Sequence, residues 1–172
     1  LSHLELRNTR VYDFSALKGK SLRYLDLSGT QIRNIDVLRG MPLTDLLLHD
    51  TGVTDIGPLQ SSSISRLDIS RALVKDFSVL SRLPLEELNL AHGRIRDLGV
   101  LKGLPLRRLN LSRTKVRDLS PLKGMKLESL DIGRTEVSDL SPLKGMPLEY
   151  FRCRGIEARD FSALKGATIK SI

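Results

Sequence analysis

Few residues of this chain have the types and spacing of a chemical site. Gly19, Lys20 and Ser21 match the end of a phosphate-binding loop, in which backbone N–H groups and a lysine hold a phosphate. That loop needs another glycine five residues before Gly19, and Phe14 stands there. Lys-Gly also recurs in the chain without the rest of the motif. We interpret the match as a coincidence.

The side chains that supply nucleophiles and metal ligands are few and scattered. Cys153 is the only cysteine, and the histidines are His3, His49 and His92. A thiolate nucleophile needs a base within hydrogen-bond reach, and a zinc site needs closely spaced ligands. No such spacing occurs, so the sequence predicts no enzyme, no metal site and no cofactor.

A period of 21 residues organises the whole chain. The first position of the repeat holds Leu1, Leu22, Leu43, Ile64, Leu85, Leu106, Leu127 and Leu148, and Ile169 begins a partial ninth unit. A fixed period of this length is typical of a solenoid, in which each unit buries its apolar side chains against its neighbours. We therefore predict a single domain over residues 1–172.

Each unit begins with the alternation of a β-strand. Positions 4 and 6 are mostly aliphatic, as in Leu109 and Leu111, whereas positions 3, 5 and 7 are mostly polar. Because successive side chains of a strand point to opposite faces, this pattern predicts one parallel sheet with an apolar back and a polar front. Threonine at position 9 marks a bend after the strand. Units with Ala72, Gly93 or Ile156 there are expected to be looser at the bend.

The segment that returns the chain to the next strand carries Asp or Asn at position 13. This column consists of Asp13, Asn34, Asp55, Asp76, Asp97, Asp118, Asp139 and Asp160. One carboxylate per unit falls short of the roughly six to eight oxygens that calcium takes, whereas capping of backbone N–H groups explains both residue types. The Ser-Pro that follows suits the N-cap and first turn of a short helix, and Lys-Gly suits its end. A single α- or 3₁₀-turn is expected.

The pattern L-x-x-L-x-L-x-x-T-x-V resembles the leucine-rich repeat, with mostly Thr where the usual pattern has Asn or Cys. The D-L-S-P-L that follows is similar to a segment of internalin-type bacterial repeats, although the unit is slightly shorter than theirs. This resemblance covers the whole chain. It implies an α/β fold, a right-handed leucine-rich-repeat solenoid with short parallel strands on the concave face and short 3₁₀ or helical turns on the convex face. It also implies a binding module without chemistry.

Composition limits the compartment and the partners. Among 172 residues, 28 Lys and Arg outnumber 20 Asp and Glu, giving a formal net charge of +8. No apolar run approaches the roughly 18 residues that span a bilayer, so no membrane span is predicted. The chain opens on a repeat residue rather than Met, which we interpret as a piece of a larger protein. One cysteine is compatible with the cytosol and with a bacterial cell surface.

The polar front is the predicted partner-binding surface, because its residues vary while the frame of the repeat stays fixed. The charges of Asp45, Arg66, Glu87 and Arg108 alternate on successive units and are expected to neutralise one another. The candidate contact residues are Tyr24, Asp26, Asp45, Leu47, His49, Arg66, Asp68, Glu87, Asn89, Arg108, Asn110, Asp131, Tyr150 and Arg152.

Two places on this surface have the composition of anchor sites. Leu47 puts an aliphatic side chain where the neighbouring units have Asp, and Tyr24 lies diagonally across from it. Tyr150 and Arg152 combine an aromatic ring with a guanidinium group, as binding hot spots do. An isolated surface leucine and a solvated chain end are the alternative interpretations.

Positive charge concentrates in the fifth and sixth units. Positions 10 and 12 place Arg94, Arg96, Lys115 and Arg117 together as a basic edge. Such an edge attracts an acidic or phosphorylated partner or a polyanion, unless it only aids solubility. With no Trp and 4% aromatic residues, sequence-specific nucleic-acid binding is not expected.

Three functions are compatible with these patterns. The leading hypothesis is a non-catalytic module that binds a protein or peptide of unknown identity on the concave sheet face. The first alternative is an electrostatic adaptor that holds an anionic ligand or polyanion on the basic edge. The second is a structural spacer or an engineered repeat array without a partner.

Overall fold

Eight short parallel strands form one open sheet in the computed structural model, which describes residues 2–170. The strands are β1 (His3–Glu5), β2 (Tyr24–Asp26), β3 (Asp45–Leu47), β4 (Arg66–Asp68), β5 (Glu87–Asn89), β6 (Arg108–Asn110), β7 (Ser129–Asp131) and β8 (Tyr150–Arg152). They lie side by side in chain order, and each pairs with the next at equal positions of the repeat, as Leu46 with Leu67. The predicted solenoid with a single parallel sheet is confirmed.

A 3₁₀-helix follows each strand on the convex side. These helices span Ser15–Leu17, Asp36–Leu38, Gly57–Leu59, Ser78–Arg82, Gly99–Leu101, Ser120–Leu122, Ser141–Leu143 and Ser162–Leu164. The predicted return by a single short turn is therefore confirmed, and the turn is of the 3₁₀ type. Over residues 2–170, none of these helices is long and apolar enough to cross a membrane.

The Asp or Asn side chain at position 13 accepts a hydrogen bond from the first residue of each of these 3₁₀-helices. Oδ1 of Asp118 accepts a hydrogen bond from the backbone N–H of Ser120 at 2.7 Å, and the amide oxygen of Asn34 accepts the N–H of Asp36 at 2.7 Å. The same bond recurs in the other six units. The capping interpretation of the column is confirmed. The prediction that the serine is the N-cap is wrong, because Asp supplies the acceptor and the serine is the first residue of the helix.

Threonine hydroxyl groups hold the bend after five of the strands. The hydroxyls of Thr9, Thr30, Thr51, Thr114 and Thr135 each donate to the carbonyl oxygen three residues earlier at 2.7 Å. Where Ala72, Gly93 and Ile156 replace threonine, the backbone N–H still bonds that carbonyl, at 3.2, 2.9 and 3.4 Å. The bend itself therefore persists, and a looser bend in these units stays a prediction.

A continuous hydrophobic core runs along the stack between the sheet and the turns. Leu22, Leu25 and Leu27 have no exposed surface, and the equivalent positions of the third to seventh units are buried as well. In the first unit Leu4 and Leu6 are partly buried, and in the eighth unit Cys153 is partly buried whereas Leu148 and Phe151 are buried. Cys153 packs against this core. Burial raises the pKa of its thiol, so the thiol stays protonated at neutral pH.

Position 8 has a backbone conformation that the sequence analysis did not foresee. Its φ lies between 54° and 72° in all eight units, at Asn8, Gly29, Asp50, Arg71, His92, Arg113, Arg134 and Gly155. This left-handed region suits Gly and, to a lesser extent, Asn and Asp, whereas long side chains are uncommon in it. The fourth to seventh units nevertheless hold Arg71, His92, Arg113 and Arg134 there.

Candidate functional site

The concave face is formed by the odd-numbered strand positions. Because position 4 of each strand points into the core, positions 3 and 5 point away from it. In-register pairing aligns equal positions in columns with a spacing of about 4.8 Å, as for Arg66, Glu87 and Arg108. A depression of about 320 Å³ lies over strands β3 to β8 of this face.

Charged side chains at position 3 form a row across the middle of the depression. Arg108 Nη1 donates to Oε1 of Glu87 at 2.7 Å, and Arg66 Nε lies 3.7 Å from Oε2 of Glu87. The side chains of Arg66 and Arg108 remain 50% and 61% exposed. Exposed ion pairs add only about 0–1 kcal/mol of stability, and each guanidinium has further N–H donors. The row therefore offers hydrogen-bond donors to a partner.

Asp45 does not take part in the predicted neutralisation of charge along position 3. Its Oδ2 accepts a hydrogen bond from the hydroxyl of Thr44 at 2.8 Å, and it forms no ion pair with Arg66, its register partner in the described sheet. The expectation that all four charges neutralise one another is therefore wrong for Asp45. Its short side chain meets a neighbouring hydroxyl instead of reaching across to the next strand.

Position 5 has a structural role that the sequence analysis missed. In five units its Oδ1 accepts the backbone N–H two residues later, at 2.8–3.1 Å. These pairs are Asp26 with Ser28, Asp68 with Ser70, Asn89 with Ala91, Asn110 with Ser112, and Asp131 with Gly133. Asp and Asn often bond the backbone two residues on, so their recurrence at position 5 carried this signal. One oxygen of each side chain thus holds the strand end.

Asp26 is the predicted contact that the structure places least favourably. It is only 5% exposed, and its carboxylate accepts the Ser28 N–H at 2.8 Å. The expectation of an exposed contact is wrong here, because the short side chain folds back onto its own strand end.

The apolar spot around Leu47 is smaller than the sequence suggested. Leu47 is half-buried, and Tyr24 stacks on His3 with ring centroids 4.0 Å apart and planes inclined by 1°. Burial raises the pKa of the Tyr24 phenol, and the Asp26 carboxylate adds to the rise, so the hydroxyl stays a donor at neutral pH. Leu47 is still the one aliphatic residue in its column, so an apolar contact remains on β3.

A hydrogen-bonded chain joins His49, Ser70, Asp68 and Asn89. The Ser70 hydroxyl donates to Oδ1 of Asp68 at 2.5 Å, so its oxygen accepts from Nδ1–H of His49 at 2.7 Å. Nδ2 of Asn89 donates to Oδ2 of Asp68 at 2.9 Å. A nucleophilic serine would instead donate to the imidazole, and Ser70 is only 2% exposed. The network fixes these side chains and does not activate the serine.

The remaining predicted contacts lie toward β8. Tyr150 is 48% exposed, Arg152 is exposed, and both line the same depression as Asn110 and Asp131. The structure thus brings together Leu47 and the contacts predicted on β4 to β8, whereas Tyr24, Asp26, Asp45 and His49 do not line this depression.

The four residues of the basic edge are all exposed. The structure adds a carboxylate that the sequence analysis did not place there, because Arg117 Nε donates to Oε2 of Glu136 at 2.5 Å. This hydrogen bond holds the pKa of Glu136 below its usual range, and the charges of Arg117, Lys115 and Arg96 lower it further. Arg117 thus contacts this carboxylate directly, whereas Lys115 and Arg96 act on it through their charge.

Metal-ligating side chains do not cluster in the described structure. Within residues 2–170, no group of three or more His, Cys, Asp or Glu side chains is placed to hold a metal ion. His49 and His92 line the same depression. His49 is hydrogen-bonded to Ser70, and His92 lies beside Arg71.

Comparisons with known proteins agree with this architecture. The family model described as Leucine Rich repeat matches residues 84–102, which cover most of the fifth unit. No curated protein sequence matches the chain significantly.

Among solved structures, the internalin InlF of Listeria monocytogenes superposes with a TM-score of 0.89 at 27% identity, covering 96% of this chain and 52% of its own. Internalin C2 of the same species gives a TM-score of 0.77 at 27% identity, over 99% of this chain and 70% of its own. A leucine-rich-repeat protein of Leptospira interrogans gives 0.68 at 19% identity, over 99% and 54%.

The chain thus spans about half the length of InlF. The repeat period, the sheet register and the structural likeness agree with one another, and the chain has a leucine-rich-repeat solenoid fold similar to that of internalins.

Proposed function

We propose that this chain is a non-catalytic interaction module that binds a protein or peptide on its concave sheet face. Internalin-like leucine-rich-repeat folds are generally protein–protein interaction modules and are typically not enzymes, which supports the class of function. The finer assignment to the concave face rests on the side chains of β3 to β6.

The observation that carries the proposal is the row formed by Arg66, Glu87 and Arg108 beside Leu47. The two guanidinium groups flank one carboxylate, remain at least half exposed, and keep donors for the carbonyl and carboxylate oxygens of a partner. Leu47 lines the same depression and supplies an apolar contact. Polar groups that orient a ligand beside an apolar anchor are the usual composition of an interface.

Fixed side chains add to this support. Asp68 and Asn89 are hydrogen-bonded to each other and to their own strand ends, so they lose little conformational freedom when a partner binds. Less ordering on binding leaves more of the contact free energy as affinity.

A displayed library of random peptides, panned against the immobilised chain, tests the proposal. The decisive variant is Leu47→Asp, because Asp at this position already forms the strand-end hydrogen bond in Asp26 and Asp68, so the variant is expected to fold. The selected peptides should bind the Leu47→Asp and Arg66→Ala/Arg108→Ala variants about tenfold more weakly, or worse.

The matched control for the arginine pair is Lys123→Ala/Lys144→Ala, which removes the same charge from the convex turns. Its affinity should stay within about twofold of the wild type, since exposed charges away from the contact contribute little. Peptides that bind all concave variants normally, or no enrichment over the bare support, would contradict the proposal and favour a spacer.

A further inference from the structure

The position-8 column holds cations where the backbone does not favour them. Arg71, Arg113 and Arg134 have φ of 57°, 58° and 57°, and His92 has 58°. The left-handed conformation is unfavourable for an L-residue with a side chain, and Gly or Asn avoids most of that cost. Asn8, Gly29, Asp50 and Gly155 occupy the same position in the other units. Local backbone preference therefore does not explain three arginines here.

This column continues the basic edge into a wider surface. Arg113 is separated by one residue from Lys115, and His92 by one residue from Arg94. We define the basic rim as the position-8 column together with the basic edge: Arg71, His92, Arg94, Arg96, Arg113, Lys115, Arg117 and Arg134. With a spacing of about 4.8 Å between units, the rim extends about 14 Å along the stack.

The charges of the rim are mostly unneutralised. Within residues 2–170, Arg117 is the one member of the rim that forms an ion pair, with Glu136. The Asp side chains at position 13 are turned to the backbone N–H groups of the 3₁₀-helices, as Asp97 is to Gly99 at 2.8 Å. Arg71 Nη2 lies 3.5 Å from Nε2 of His92, and burial together with Arg71 and Arg113 lowers the pKa of His92. His92 is thus neutral at pH 7, and the arginines and Lys115 carry the charge.

Glu136 indicates which anion the rim suits. Its carboxylate lies within bonding distance of Arg117, and its pKa is lowered by Arg117 first and by Lys115 and Arg96 as well. A carboxylate from this chain is therefore already stabilised by the same cations. The carboxylate of Asp or Glu in a partner has the same chemistry.

The exposed side chain of Leu73 favours an acidic peptide over other polyanions as the ligand of the basic rim. It stands at position 10 of the fourth unit, between Arg71 and Lys75, and is 45% exposed. It continues the column that holds Arg94 and Lys115 in the next two units. A sulfated polysaccharide has no side chain to cover an exposed leucine, whereas an acidic peptide with one apolar residue does. An extended peptide advances about 3.3 Å per residue, so four to five residues match the length of the rim.

We propose that the basic rim binds an acidic peptide segment of a protein partner, with its carboxylates on Arg71, Arg94, Arg113 and Lys115 and an apolar side chain on Leu73. This interface lies outside the concave depression and does not depend on the function proposed for that face.

Fluorescence anisotropy with synthetic peptides tests this proposal on the whole chain. The probe is a labelled peptide of glutamates around one leucine, and a second probe has serine in place of the leucine. The rim variant is Arg71→Asn/Arg94→Gln/Arg113→Asn, which should fold because Asn8 adopts the same backbone conformation as Arg71 and Arg113. The control Lys102→Gln/Lys123→Gln/Lys144→Gln removes equal charge from the convex side.

The rim variant should lose at least about tenfold in affinity for the leucine probe, as expected for three exposed ion pairs. The lysine control should lose less than about threefold, and wild-type affinity should fall as salt rises. Leu73→Ser should weaken the leucine probe but leave the serine probe unchanged, which is the signature of a direct contact.

Three results would overturn the proposal. Equal losses in the rim and lysine variants would show a diffuse field of net charge instead of a site. No saturable binding at low salt would exclude the site altogether. Rim-dependent binding of heparin or single-stranded RNA that exceeds peptide binding and ignores Leu73→Ser would assign the rim to a polyanion.

Discussion

Single polar side chains stabilise the turns and strand ends of this molecule through hydrogen bonds to nearby backbone N–H groups. Asp76 accepts the N–H of Ser78, just as Asn34 accepts the N–H of Asp36. At position 5, Asp68 bonds the N–H of Ser70 in the same way. A polar residue that recurs in a repeat is therefore not by itself a contact residue. Leu47, which replaces Asp or Asn at position 5, is therefore more informative about function than the Asp and Asn residues of that column.

The position-13 column makes acid stability testable at one residue. The hydrogen bond from the backbone N–H of Ser78, with help from its side chain, lowers the pKa of Asp76 from its ordinary 3.8. The unfolded state therefore binds more protons in acid. The stabilisation from Asp76 is complete above that ordinary value and is lost as pH falls through the lower folded value.

We expect Asp76→Asn to match the wild type in urea denaturation at neutral pH, because the amide oxygen still accepts the bond as in Asn34. Asp76→Ala should shift the midpoint to lower urea at neutral pH. Between neutral pH and acid, the stability of the Asn variant should fall less than that of the wild type. Parallel pH profiles for the two proteins would refute the role of the ionised carboxylate.

At the level of the elements, the bend after each strand depends on one hydroxyl column. Thr114 is 4% exposed, and its hydroxyl donates to the Leu111 carbonyl at 2.7 Å. A buried hydrogen bond of this kind contributes about 1 kcal/mol net. Thr114→Val, which keeps the shape of the side chain, should lower the free energy of unfolding by about that amount in chemical denaturation.

The units without threonine provide the complementary test. Ala72→Thr should add the missing hydrogen bond to the Ile69 carbonyl and gain up to about 1 kcal/mol. Gly93→Thr should not gain, because a Cβ at Gly93 would lie 2.7 Å from the Leu90 carbonyl oxygen and the backbone would have to shift. Equal effects of the two substitutions on the free energy of unfolding would argue against a hydroxyl ladder.

For the whole molecule, equivalence of the units is the main physical property. Each strand contacts its immediate neighbours in the sheet, and the core continues from one unit to the next. Stability is then close to a sum of unit and interface terms. The concave depression and the basic rim are lined by different side chains, but they adjoin each other, because Arg71 and His92 line a neighbouring depression together with Leu47 and Arg66.

Deletion of residues 106–126, one complete unit, should therefore leave a folded protein with an unchanged far-UV circular dichroism shape. Its urea m-value should fall by about an eighth, in proportion to the surface lost on shortening the stack. Deletion of residues 106–115 alone places position 11 next to position 21 of the preceding unit, breaks the register and should unfold the chain. Similar losses from the two deletions would contradict a modular stack.

The amino-acid sequence by itself determined the architecture, because a 21-residue period buries both flanks of each apolar layer only when equal positions stack in register. It also placed the concave columns, the capping role of position 13 and the basic edge. Tertiary structure alone decided which contacts those side chains make within the chain. Asp26 folds onto Ser28, Asp45 bonds Thr44, and Glu136 reaches Arg117 from the following unit. The sequence did not reveal the left-handed backbone conformation of Arg71 and Arg113 either. These outcomes depend on rotamers and on contacts between units, and a periodic pattern of residue types does not encode either of them.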